Sequence, residues 1–120
     1  MKRLAVVEDN PDNMMLVRAL LEDDYELDTY TCGAMALVGI RNSEPDLVLL
    51  DISLPGLDGT QVLHLLREWS SIPVIALTAH AMAGDRAAFL IKGFSGYVSK
   101  PIVDDQLLYN EIKRLLGACC

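Results

Sequence analysis

The chain has 120 residues, of which 52% are hydrophobic, and its 10 basic and 17 acidic side chains give a formal net charge of −7. This length predicts one domain over residues 1–120 with a single core, and no apolar run approaches the roughly 18 residues of a membrane span. The excess of acidic residues would repel a phosphate backbone, which argues against direct binding of nucleic acid.

Apolar runs alternate along the chain with segments of helical periodicity, a pattern typical of a parallel sheet with helices on both faces. In the first half we predict a strand at Leu4–Val7, a helix at Asp12–Leu21, a strand at Leu27–Thr31, a helix at Gly33–Asn42 and a strand at Leu47–Leu50. The apolar residues of these helices are Met14, Val17 and Leu21 in the first and Met35, Leu37, Val38 and Ile40 in the second.

In the second half we predict a helix at Thr60–Glu68, a strand at Val74–Leu77, a helix at Gly84–Ile91, a strand at Gly96–Val98 and a helix at Asp104–Leu116. Val62, Leu66 and Trp69 follow one another at helical spacing in and just after the third helix, and Leu108, Ile112 and Leu115 are expected to face inward in the fifth. Right-handed crossovers then give an α/β fold, a doubly wound sheet of five parallel strands in the order 2-1-3-4-5 with five helices in a three-layer sandwich.

Polar residues follow four of the predicted strands at their carboxyl ends. Glu8 and Asp9 come after the first strand, Asp51 after the third, Thr78 after the fourth and Lys100 after the fifth. Doubly wound sheets bind ligands beyond the carboxyl ends of their strands, so we expect these side chains to meet. Each has an ordinary structural interpretation when taken alone, such as helix capping or a surface position, and only their joint placement favours a site.

Three carboxylates held close together repel one another unless protons or a cation neutralise them. Mg²⁺ suits such a site because it prefers oxygen ligands and keeps several waters, and Mn²⁺ is an alternative. A carboxylate such as Asp51 can attack phosphorus and form an acyl phosphate when a metal screens the incoming negative charge. Lys100 could pair with a phosphoryl oxygen or with Asp51, and Thr78 could donate its hydroxyl.

Four segments of the chain resemble the motifs of a known family. They are V-V-E-D-N at 6–10, L-L-D-I-S-L-P-G-L-D-G at 49–59, A-L-T-A-H-A at 76–81 and G-Y-V-S-K-P-I at 96–102. With these motifs at these intervals, the chain closely resembles the receiver domain of bacterial two-component response regulators over essentially its whole length. The resemblance implies a flavodoxin-like fold of the chemotaxis-regulator type.

The same resemblance implies roles for the acidic residues. Asp51 would be the phospho-acceptor, and Asp9 and Asp51 would bind Mg²⁺ directly together with the backbone carbonyl of Ser53. Glu8 would act through a bound water.

For the residues on the last two strands, the resemblance implies phosphoryl sensing by Thr78 and Lys100. Tyr97 stands where the family has an aromatic residue that swings inward when the threonine moves toward the phosphoryl group. The resemblance also implies a cis peptide bond between Lys100 and Pro101. His80 and Ser53 stand at positions that vary in the family and that affect water access to the acyl phosphate.

The partners follow from the resemblance as well. A histidine kinase or a histidine phosphotransfer protein would donate the phosphoryl group, and a protein target would dock on the face made by the fourth helix, the fifth strand and the fifth helix. Because the sequence stops just beyond the fifth helix, we expect no attached output domain, and a monomer or a phosphorylation-dependent dimer. No secretory or transit signal precedes the first strand, which predicts a cytoplasmic protein without a membrane partner.

Two other arrangements stay open or are disfavoured on the sequence. The segment A-L-T-A-H-A-M-A-G-D also resembles receivers of hybrid histidine kinases, so the chain could be a segment of one. A Mg²⁺-dependent phosphatase with an aspartate nucleophile would need a second acid where Ser53 stands, and we therefore predict a phospho-acceptor rather than a turnover enzyme. A flavin- or nucleotide-binding module would need donors where V-E-D-N-P-D is acidic.

The remaining candidates for chemistry are the cysteines and histidines. Cys32 and the adjacent Cys119 and Cys120 form neither a disulfide framework nor a metal-binding pair. His64 is expected to be a solvated residue of the third helix.

Overall fold

The computed structural model describes residues 2–54, 56–78, 85–99 and 105–116, and only the backbone at 85–87, 89, 99 and 105. Within these ranges strands and helices alternate: β1 (Arg3–Val7), α1 (Pro11–Leu21), β2 (Glu26–Tyr30), α2 (Gly33–Ser43), β3 (Leu47–Asp51), α3 (Gly59–Leu66), β4 (Val74–Thr78), α4 (Asp85–Lys92), β5 (Gly96–Ser99) and α5 (Asp105–Leu116). No helix in these ranges combines the length and the apolar content that crossing a bilayer requires.

All the strand pairs are parallel, and the order in the sheet is β2-β1-β3-β4-β5, which confirms the predicted topology. The residues of β3 and β4 are buried throughout, as expected for inner strands covered on both faces. At the edge of the sheet, β2 carries the polar residues Glu26, Asp28 and Thr29.

Two core clusters, one on each face of the sheet, make the molecule a three-layer sandwich. Alternate strand residues such as Leu50 and Ala76 pack with α2 and α3 on one face. Their neighbours Leu49 and Ile75 pack with α1 and α5 on the other face. The helical residues of the first cluster are Ala36, Ile40, Val62, Leu63 and Leu66, and those of the second are Val17, Leu21, Leu108 and Ile112.

The first helix begins one residue earlier than predicted, at Pro11. The side-chain oxygen of Asn10 accepts hydrogen bonds from the backbone N–H groups of Asp12 and Asn13, so Asn10 is the N-cap. Pro11 then occupies the first helical position, where a missing N–H leaves no hydrogen bond unmade.

The third helix ends at Leu66 rather than Glu68, and Trp69 does not continue the buried face of Val62 and Leu66. The backbone N–H of Glu68 bonds to the carbonyl of Leu65, three residues back, which marks a tight turn. Trp69 therefore lies beyond the helix with 38% of its surface exposed, and its ring centre is 5.4 Å from the guanidinium carbon of Arg41. An arginine over an indole ring is a favourable cation–π contact, and it gives the tryptophan a partner outside the core.

Candidate functional site

The carboxyl ends of the inner strands lie level in the sheet. Val7 pairs with Leu50, so Glu8, the residue after β1, lies beside Asp51, the last residue of β3. Asp51 in turn pairs with Leu77, which brings Thr78 to the same edge. The register therefore collects the polar residues that follow three different apolar runs.

Glu8, Asp9 and Asp51 form one acidic cluster. Each offers a carboxylate oxygen, and these oxygens lie within 4.8 Å of one another. Glu8 is 1% exposed and Asp51 is 2% exposed, whereas Asp9 is open to solvent. The cluster thus has two buried carboxylates, Glu8 and Asp51, and one solvent-exposed carboxylate, Asp9, through which it can be reached from solvent.

The buried carboxylate of Glu8 is contacted by the start of α1. Its Oε1 accepts a hydrogen bond from the backbone N–H of Asn10 at 3.2 Å and another from the side-chain amide of Asn13 at 3.5 Å. A buried charged group requires such partners. Nothing in the sequence singled out Asn13 for this contact.

The loop after β3 holds Asp51 from the other side. The backbone N–H of Ser53 donates to Oδ1 of Asp51 at 3.0 Å. Leu54 is buried, and the N–H of Gly59 bonds to the carbonyl of Ile52 at 3.1 Å, so the loop folds back onto the strand end. The structure thus brings Ser53, one of the predicted site residues, next to Asp51.

Thr78 and Tyr97 lie on neighbouring strands. Thr78 is 2% exposed, and Tyr97 is half-buried and packs against the core cluster shared with α2 and α3. Val74 and Ala76 belong to that same cluster, so the alternation of β4 directs Thr78 to the face on which Tyr97 packs. Ala76 pairs with Tyr97 and Thr78 with Ser99, so Thr78 and Tyr97 lie two residue positions apart along the paired strands.

The other residues singled out in the sequence have different outcomes. Lys100, Pro101 and His80 lie outside the described residues. His64 is exposed on α3, as predicted, and Cys32 is a half-buried free thiol.

The donor set fits a hard divalent cation. Three carboxylates supply oxygen ligands, and among the described residues no histidine or cysteine belongs to the cluster. Oxygen-only ligand sets suit Mg²⁺ and Mn²⁺, whereas nitrogen and sulfur ligands select zinc or copper. With Asp9 exposed, such a site also has room for the waters that Mg²⁺ retains.

Comparison with known proteins agrees with this geometry. The family model described as response regulator receiver domain matches residues 4–113. The polar-differentiation response regulator DivK of Brucella ovis is 42% identical over 120 residues, which cover 97% of each chain. The sensor protein GacS of Pseudomonas syringae pv. syringae is 41% identical over 118 residues, which cover 92% of this chain and 13% of GacS.

Solved structures give the same result. The receiver domain of the sensor histidine kinase PA1611 from Pseudomonas aeruginosa, which has a magnesium ion coordinated in its active site cleft, matches with a TM-score of 0.86 and 32% identity over 97% of this chain and 98% of that one. The Vibrio cholerae chemotaxis protein CheY4, 22% identical with a TM-score of 0.87, shares the fold. The chain therefore belongs to the response regulator receiver domain family of two-component signalling.

Proposed function

We propose that Asp51 accepts a phosphoryl group from a phosphohistidine side chain of a histidine kinase or a histidine phosphotransfer protein. The observation that carries this proposal is the acidic cluster at the level carboxyl ends of β1 and β3, with Asp51 as its strand-end member. Its carboxylate would form a P–O bond while the P–N bond of the donor breaks and the imidazole nitrogen keeps the electron pair.

The negative charge of the acidic cluster means that phosphorylation requires a cation. An incoming phosphoryl group is negative, and so are the three clustered carboxylates. Mg²⁺ or Mn²⁺, held directly by Asp9, Asp51 and the Ser53 carbonyl and by Glu8 through a bound water, would supply the positive charge that offsets this repulsion. The N–H of Ser53 meanwhile fixes Oδ1 of Asp51, which orients the other carboxylate oxygen.

The sensing half of the proposal assigns Thr78 and Lys100 to the phosphoryl oxygens and Tyr97 to the response. Support comes from the burial of Thr78 at the same edge of the sheet and from the half-buried ring of Tyr97 on the same face. A hydroxyl that moves toward a new phosphoryl group would open space on this face, into which an aromatic ring can turn.

We propose a protein target rather than a nucleic acid as the output partner, in the cytoplasm, with the domain a monomer or a phosphorylation-dependent dimer. The face made by α4, β5 and α5 would receive the target. Leu90 and Ile91 on α4 and Leu107 on α5 are exposed by 43%, 86% and 56%, and exposed apolar side chains are typical of docking surfaces. The chain resembles both a stand-alone regulator, DivK, and a small part of a sensor kinase, GacS.

A phospho-acceptor is favoured over a phosphatase that turns over. Two residues beyond Asp51 the chain has Ser53, whose exposed hydroxyl is a poor general acid at neutral pH. Without a second acid at that position, position 53 supplies no general acid or base for hydrolysis of the acyl phosphate.

The test is phosphorylation by acetyl phosphate and by a phosphorylated histidine phosphotransfer protein, with Mg²⁺ and with EDTA. Intact-mass and peptide mass spectrometry should locate one Mg²⁺-dependent, base-labile phosphoryl group on Asp51. Asp51→Asn should abolish the signal, and Asp46→Asn, which changes an exposed acid at the opposite end of β3, should not. A phosphoryl group on any other residue, or incorporation by Asp51→Asn, would overturn the proposal.

A further inference from the structure

A closed ring of hydrogen bonds links the acidic cluster to the first turn of α1. The backbone N–H of Asn10 donates to Glu8 Oε1, and the side-chain oxygen of Asn10 accepts from the backbone N–H of Asn13 at 3.1 Å. The side-chain amide of Asn13 then returns to Glu8 Oε1 at 3.5 Å. The cap of the helix and the orientation of the carboxylate therefore belong to one arrangement.

Both donors in this ring contact the same oxygen of Glu8. A carboxylate can only accept hydrogen bonds, so the NH₂ group of the Asn13 amide must be the part that faces it. Neither contact uses Oε2. Because rotation of the carboxylate would break both contacts on Oε1, the two donors together fix the direction of Oε2.

This restraint matters because of where Glu8 lies. The side chain is 1% exposed, yet one of its oxygens is within 4.8 Å of ligand oxygens of Asp9 and Asp51. Groups that orient a metal ligand from behind typically contribute 10- to 100-fold in affinity, since they hold the ligand in its binding direction beforehand.

We propose that Asn13 is a positioning residue of the acidic site, whose side-chain amide holds Glu8 in the direction that a divalent cation requires. This inference rests on the metal site of the proposed function. Asn13 itself contacts neither the cation nor the phosphoryl group. Because its contact is long and the N–H of Asn10 also restrains Oε1, its loss should weaken Mg²⁺ binding at the low end of the usual range, by about tenfold.

The substitution Asn13→Leu removes the side-chain amide of Asn13 and tests its contribution. Leucine has the same number of side-chain heavy atoms and the same branch at Cγ as asparagine, and it has a higher helix propensity, so α1 should be kept. The backbone N–H of position 13, which bonds to Asn10, also remains, so the N-cap survives the substitution. Asn42→Leu makes the same change on the exposed side of α2 and serves as the matched control.

The measurement is a Mg²⁺ titration of the whole chain followed by backbone amide shifts of residues 8, 9 and 51 in NMR. We expect Asn13→Leu to raise the Kd about tenfold and Asn42→Leu to leave it unchanged. Urea denaturation without Mg²⁺ measures the effect on stability separately, which the lost contact to Glu8 lowers and the helix propensity of leucine partly restores. A lower midpoint with an unchanged Kd would make the role of Asn13 purely structural and overturn the inference.

A double-mutant cycle tests whether Asn13 acts through Glu8. In the Glu8→Gln background, adding Asn13→Leu should change the Kd by less than about twofold, since the carboxylate that it positions is gone. An equal tenfold loss in both backgrounds would place the effect elsewhere and overturn the inference.

The same titration separates this inference from the function on which it rests. If the wild type binds Mg²⁺ and Asn13→Leu binds it equally well, the proposed role of Asn13 is refuted and the metal site is retained. If the wild type shows no saturable shifts at residues 8, 9 and 51, the metal site itself fails, and the role of Asn13 fails with it.

Discussion

Gly59, the first residue of α3, lies directly against the backbone of Asp51, the last residue of β3. A Cβ at position 59 would overlap the carbonyl oxygen of Asp51 and come within 2.7 Å of the Cα of Ile52. Both obstacles are backbone atoms, which cannot move aside as a flexible side chain can. The absence of a side chain at position 59 thus lets α3 begin close to the proposed phospho-acceptor.

We expect Gly59→Ala to destabilise the fold and to displace Asp51. Overpacking against rigid neighbours costs about 1–3 kcal/mol, and urea denaturation would measure this as a loss in the free energy of unfolding. A shifted carboxylate should also slow phosphorylation by acetyl phosphate by about tenfold, because small misplacements of a nucleophile have large effects on rate.

The matched control for this prediction is Gly56→Asn in the same loop. Gly56 has φ of +72°, a Cβ at this position would meet nothing within 4 Å, and asparagine tolerates this backbone region. Its free energy of unfolding should stay within about 0.5 kcal/mol of the wild type. Equal stability and equal phosphorylation rates for the two variants would contradict the close-packing argument.

The sequence predicted the sheet well because inner parallel strands are read from continuous apolar runs. The predicted strands Leu47–Leu50 and Val74–Leu77 are buried strands in the structure. Each extends one residue beyond its predicted end, to Asp51 and to Thr78. The edge strand β2 carries polar residues that interrupt its apolar run. It lies one residue earlier than predicted because Glu26, not Thr31, pairs with β1.

Helix faces and close approaches were harder to predict because tertiary packing decides them. Met35 and Val38 continue the apolar pattern of α2, yet they are 65% and 64% exposed, while the small Ala36 is buried. An Asp-Gly pair such as Asp58-Gly59 indicates only a turn, since the approach of Gly59 to β3 depends on how the loop folds back. Asn13 gave no signal for the same reason: its contact with Glu8 depends on the direction in which α1 leaves the sheet.

Mg²⁺ should stabilise the folded chain through the acidic cluster. A ligand that binds only the folded state at 100 times its Kd adds about 2.7 kcal/mol to the free energy of unfolding. Thermal or urea unfolding in Mg²⁺ and in EDTA would measure this gain. It should shrink strongly in Asp51→Asn and remain in Asp46→Asn, and an undiminished gain in Asp51→Asn would show that the cation binds elsewhere.

Thr78→Val should separate phosphorylation from the response of Tyr97. Valine keeps the branched shape of threonine in a 2%-exposed position but removes the hydroxyl. We expect Asp51 to accept a phosphoryl group, while the ring resonances of Tyr97 no longer shift on phosphorylation in NMR. Thr60→Val, at a half-buried position of α3 that belongs to neither core cluster, is the control and should leave that shift intact. A wild-type shift of Tyr97 in Thr78→Val would rule out the threonine as the link.

Arg67 ties three segments together at the end of the molecule opposite the acidic cluster. Its guanidinium donates to the carbonyls of Ile72 at 2.7 Å, Gly93 at 3.0 Å and Ser70 at 3.3 Å. It is half-buried, and burial lowers the pKa of the guanidinium below its usual value. The end of α3, the start of β4 and the loop between α4 and β5 are therefore joined through one side chain.

We expect Arg67→Met to lower the free energy of unfolding by about 2–3 kcal/mol, because it leaves partly buried carbonyls without their charged donor. Arg3→Met is the informative comparison. Arg3 makes contacts of 2.9 Å with Asp28 and Glu26, but its side chain is 39% exposed, and exposed ion pairs contribute little. Urea denaturation should therefore give a clearly larger loss for Arg67→Met, although Arg3 has the carboxylate partners. Losses of equal size, or a larger loss for Arg3→Met, would show that the carbonyl contacts of Arg67 do not hold the three segments together.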